Sequence, residues 1–130
     1  MTVGVWEPSK SSSFFSLELV RELLGDISNI DLEAIADAMG EDFVNSNSKL
    51  MTLTWESWKA VDVLSDEDLE KLIRFFTLAE MQLQGWKGGN QNPVIYLVRI
   101  LKSRDAFLPE LRKWIKKNTD NRYLPYGSAL

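Results

Sequence analysis

Residues 65–84 read SDEDLEKLIRFFTLAEMQLQ, and this stretch decides the fold. Ser65 has the side chain of a helix N-cap, and Asp66, Glu67 and Asp68 follow in the first turn, where carboxylates meet the positive end of the helix dipole. Leu69, Leu72, Ile73, Phe76, Ala79 and Leu83 then recur three and four apart, giving one stripe of a helix that reaches about residue 84, ahead of Gly85. Phe75, Leu78 and Met81 fall outside that stripe. An apolar surface this wide puts the helix at the centre of the molecule, or leaves it a second face for a partner.

The same spacing extends in both directions, without the alternating β-branched runs that mark strands, so the fold class is all-α. Towards the N-terminus the pattern predicts a helix over 14–24, opened by Ser11, Ser12 and Ser13 and stopped by Gly25, and another over 30–39 ending at Gly40. Residues 43–53 are apolar at the ends and polar in the middle, the composition of an internal linker. Thr54 caps a short helix to residue 64 that carries Trp55, Trp58 and Val61 on one face. Towards the C-terminus, Trp86 to Asn92 form a glycine- and amide-rich loop, and Asn92 caps a helix opening at Pro93. That helix, over 93–102, is apolar nearly all round and reads as the buried core helix, with Leu97 and Val98 among its inward residues. A turn over 105–108 leads to a last helix over 109–118. The expected architecture is a compact single-domain bundle of five to six helices over 14–118, with an irregular tail over 119–130.

Composition narrows the chemistry. The chain has 130 residues, no cysteine and no histidine, which removes thiolate and imidazole ligands, cysteine nucleophiles and Ser-His-Asp chemistry. Residues 66–70 are acidic but fail as an EF-hand loop, since Lys71 stands where the turn glycine belongs and Thr77 where the bidentate glutamate belongs. No catalytic residue, metal site or cofactor motif is assigned. The N-terminus lacks the basic and apolar regions of a signal peptide, and no apolar run approaches the length that spans a bilayer. The expectation is a cytoplasmic protein, not a membrane one.

Charge is distributed unevenly. Residues 1–82 hold 6 Lys or Arg against 16 Asp or Glu, and residues 83–130 hold 9 against 3. In the last helix Arg112, Lys113, Lys116 and Lys117 lie opposite Leu111, Trp114 and Ile115, so a basic strip faces solvent. With Lys87, in a loop whose glycines and free N–H groups could receive an anion, this strip is the candidate contact for nucleic acid. The tail carries Arg122, Tyr123 and Tyr126, residue types enriched in interface hot spots. Phe75, Leu78 and Met81, together with these three, make up the candidate partner surface, and a self-complementary patch would make the partner a second copy. The preferred function is a non-enzymatic protein–protein interaction or regulatory module. A nucleic-acid-associated protein is the alternative, and an enzyme with a carboxylate or anion site stands third.

Overall fold

The structure is a computed structural model and describes residues 15–127. Ser11, Ser12 and Ser13, expected to open the first helix, lie outside the described residues, as does the N-terminal segment read for a signal peptide. The described residues form seven α-helices and no strand: α1 Leu17–Ile27, α2 Ile35–Met39, α3 Glu41–Asn47, α4 Trp55–Trp58, α5 Asp66–Gln82, α6 Pro93–Ser103 and α7 Pro109–Asn118. Short 3-10 turns, Leu32–Ala34, Ser48–Thr52, Lys59–Val63 and Gly89–Gln91, join them.

The helix starts follow side-chain chemistry. The Ser65 hydroxyl accepts from the Asp68 amide at 3.1 Å, the Thr54 hydroxyl from Ser57 at 3.4 Å and the Asn92 carboxamide oxygen from Val94 at 2.8 Å. Each satisfies a donor that the first turn leaves without an intrahelical partner. Ser16 does the same for α1 through Leu19 at 3.1 Å.

Gly25 does not stop α1. The helix continues to Ile27, which is buried, and the freed carbonyls of Leu24 and Gly25 accept from the Ser28 hydroxyl and the Asn29 amide group. The expected linker over 43–53 is also helical, as α3 and the Ser48–Thr52 turn. Its polar centre faces outward at Asn45 and Ser46, while Leu50 and Met51 bury themselves in the core. Burial of the apolar ends therefore overrides the loop-like composition of the middle. These extra elements take the helix number above the five or six expected. Gly40 sits between α2 and α3 at φ +88°, a conformation that favours glycine, and so ends one helix while starting the next.

α5 is the central helix, packed by α1, α2, α6 and α7. Phe75 and Leu78 are accordingly buried within the chain, Phe75 with its ring edge-on to Phe76 and Trp86. The wide apolar surface of α5 serves centrality, and the partner face expected at Phe75 and Leu78 is already covered by neighbouring helices. One continuous hydrophobic cluster runs from Val20 to Leu124. In α6, Leu97 and Val98 are buried as the pattern requires, yet the helix is not enclosed: Arg99, Lys102 and Ser103 are exposed and Tyr96 and Ile100 half-buried. Among the described residues no helix is long and apolar enough to cross a membrane.

Candidate functional site

Two places concentrate chemistry, one inside the molecule and one on its surface. The inner one is Glu80, on the inward side of α5 and only 6% exposed. Its carboxylate accepts from the backbone amides of Gly88 and Gly89 at 2.8 and 3.2 Å, and from the side-chain amide of Asn92 at 3.0 Å. The Asn121 side chain adds bonds of 3.0 and 3.1 Å to the two carboxylate oxygens and donates to the Gly89 carbonyl at 3.0 Å. The glycine-rich loop is thus an anion receptor whose anion is supplied by the chain itself.

Close approach requires glycine at position 88, where a Cβ would lie 2.7 Å from the Met51 carbonyl oxygen and 2.9 Å from the Asn92 Cα. Lys87, the expected anion contact, does not reach the carboxylate by hydrogen bond. It is exposed and lines, with Met81, Asp120 and Asn121, a cleft of about 220 Å³ beside Glu80. A carboxylate engaged by donors from the loop and the tail is a structural hub, stabilised by charge-assisted hydrogen bonds.

The outer place is a ledge along the open side of α6. The Trp55 and Tyr96 rings stack with centroids 5.9 Å apart and planes 27° from parallel. The Arg99 guanidinium lies 5.9 Å from the Trp55 ring centre, and the Lys102 ammonium 4.8 Å from that of Tyr126. Tyr126 in turn meets Phe107 edge-on. The Tyr96 hydroxyl donates to the Asp62 carboxylate at 3.0 Å. Burial first, then that hydrogen bond and the charges of Asp62 and Glu56, push the Tyr96 phenol up to about 12. Tyr96, Arg99, Ser103 and Arg104 line an open cleft of about 360 Å³. Arg104 is exposed but already engaged by the fold, donating to the Leu64 and Asp62 carbonyls and the Asp66 carboxylate at 2.7 to 2.9 Å.

The other expected site residues are spread over the surface. Met81 is exposed, and its sulfur accepts from the Asp120 amide at 3.4 Å. Arg122 is exposed, Tyr123 is half-buried, and Tyr126 is 41% exposed. The tail that carries them is folded onto the bundle, since Asn121 holds Glu80 and Leu124 is buried. On α7, Lys113, Lys116 and Lys117 are exposed and Arg112 half-buried. Leu111 and Ile115 point inward, and Trp114 receives the Arg74 guanidinium 4.7 Å from its ring centre.

The acidic run over 66–70 is used in part for ion pairs, Asp66 with Arg104 and Glu70 with Arg74. Among the described residues no three metal-capable side chains gather. A Ser-x-x-Lys spacing occurs at Ser46 and Lys49, but both side chains are exposed rather than set in a cleft. Sequence reasoning missed Glu80, Asn121 and the Trp55–Tyr96–Arg99 group. Glu80 belongs to no motif; the one available signal is its place on the apolar stripe of this helix, four residues after Phe76 and three before Leu83.

No family model matches the chain. Comparison with curated proteins and with solved structures likewise finds no significant match.

Proposed function

We propose that the chain is a single helical domain acting in the cytoplasm as a non-enzymatic protein–protein interaction module. The observation that carries this reading is the ledge of Trp55, Tyr96, Arg99, Lys102 and Tyr126, where aromatic rings and cations share one accessible face. Trp, Tyr and Arg are the residue types that dominate binding energy at protein interfaces, because they combine large apolar area with a polar handle. The ledge also carries Asp62 beside Tyr96. A mixed-charge aromatic surface suits a protein better than a polyphosphate chain, which a carboxylate repels. The buried Glu80 has its hydrogen-bonding capacity directed to structure, which leaves the third reading, an enzyme, without an available carboxylate at that point.

Affinity capture from native lysate after nuclease treatment tests the proposal, with the wild type set against Trp55→Ala and Tyr126→Ala. A protein retained by the wild type and lost by both variants is the expected result. Retention unchanged by either substitution overturns the assignment to this face.

The nucleic-acid reading rests on a separate observation: Lys113, Lys116 and Lys117 are exposed and, among the described residues, make no ion pair. Binding of duplex DNA or RNA that weakens steeply with salt, and is lost on changing Lys113 and Lys116 to Glu, would support it.

A further inference from the structure

Arg99 and Lys102 differ from the other surface cations in what holds them. Among the described residues neither has a carboxylate at ion-pair distance, and each is placed against an aromatic face, Arg99 over Trp55 and Lys102 over Tyr126. Three residues apart on α6, they are neighbours on one side of the helix. A cation resting on a ring keeps its full charge for a third group while losing part of the freedom that ordering would otherwise cost. Arg104, the C-cap of α6, shows the contrast: two carbonyls and a carboxylate already occupy its guanidinium. The carboxylate Asp62 lies at the Tyr96 end of the ledge, so the uncompensated positive charge is directed to the Tyr126 end.

We propose that this edge of α6, from Arg99 to Lys102 and Tyr126, receives an acidic segment of a protein partner. The proposal rests on the interaction-module reading and specifies its partner by charge complementarity. Carboxylates of the segment pair with the two cations, and its apolar side chains lie on the exposed parts of Trp55 and Tyr126.

The test uses the full chain, labelled for amide chemical-shift mapping, and a synthetic peptide of alternating Glu and Leu as probe. Expected are shifts over residues 96–103 and at Tyr126, and an affinity about tenfold weaker in the Arg99→Ala, Lys102→Ala double variant, the size of two partly exposed ion pairs together. Arg99→Lys with Lys102→Arg should restore most of the binding, with the same urea midpoint in all three proteins. Equal affinity of wild type and double variant overturns the proposal, as does a peptide of alternating Lys and Leu that binds equally well. Shifts confined to α7 overturn it too. Tighter binding of duplex DNA at these same residues transfers the face to nucleic acid, and a wild-type dimer that the double variant dissolves makes the occupant a second copy; either result overturns the assignment to a protein partner. A partner captured through Trp55 and Tyr126, combined with no peptide binding, removes this inference and leaves the module reading standing. Failure of capture removes the module reading.

Discussion

Glu80 shows how one side chain organises distant parts of the chain, since its partners lie 8, 9, 12 and 41 residues away. Removing it leaves two backbone amides and two carboxamides facing an empty space, and each buried donor without a partner costs about 1–3 kcal/mol. Glu80→Ala is therefore expected to lower stability by at least about 3 kcal/mol in urea unfolding. A change below about 1 kcal/mol would show that water replaces the carboxylate at little cost. Tyr96 gives a second prediction at this scale. Its phenol is raised to about 12 from an ordinary 10.0, so folding favours the protonated form. The associated stability is fully present below the unfolded pKa and is lost as pH rises between 10.0 and about 12. Phenolate absorbance should show Tyr96 titrating late, and Asp62→Asn should bring that titration down. The loop chemistry around Lys87 was legible in its glycines and amides, but its ligand was not, because a carboxylate 8 residues away in sequence carries no local signature.

At the scale of elements, strong caps were legible and weak helices were not. Ser65, Asn92, Pro93 and Pro109 mark the starts of α5, α6 and α7, because capping is a matter of neighbours in sequence. Residues 30–53 were harder, since their helices are short and held by tertiary contacts rather than by propensity. Gln82 is the clearest such contact. From the end of α5 its side chain accepts from the Ile35 amide at 2.9 Å and donates to the Leu32 carbonyl at 2.7 Å, clipping the start of α2 in place. Gln82→Ala is expected to cost about 1–2 kcal/mol, the scale of a lost cap plus a hydrogen bond. Hydrogen exchange should localise the effect: the Ile35 amide exchanges faster while amides in the middle of α6 do not. Uniform acceleration across the molecule would mean that α2 has no stability of its own to lose.

For the whole molecule, the uneven charge pattern said where basic residues lie in sequence but not which of them remain available. Structure separates Arg74 and Arg104, tied to carboxylates, from Arg99 and Lys102, which rest on rings with no carboxylate of the described residues at ion-pair distance. It also changes the meaning of the tail, which composition marked as unusual through Arg122, Tyr123 and Tyr126. Leu124 enters the core at 2% exposure and Asn121 binds Glu80, so truncation after Asn118 removes structure as well as surface. The truncated chain is expected to lose about 3–5 kcal/mol, combining a buried Leu with the Asn121 bonds to a charged group, and thermal unfolding would measure it. An unchanged melting temperature would make the tail an independent appendage. For interaction studies, Tyr126→Ala is therefore the cleaner probe, because it alters the ledge while leaving Leu124 and Asn121 in place.

The bond between Asn121 and Glu80 also has a temporal side. Asn121 is the residue 41 positions after Glu80 that a ribosome must still add, and much of the newest chain is held in its exit tunnel at that moment. The nascent protein therefore carries an incompletely satisfied inner carboxylate, and a core still missing Leu124, throughout the synthesis of α6 and α7. Final closure is set for the interval after translation has passed the tail, when a stalled or prematurely released chain would expose an open seam to chaperones and proteases.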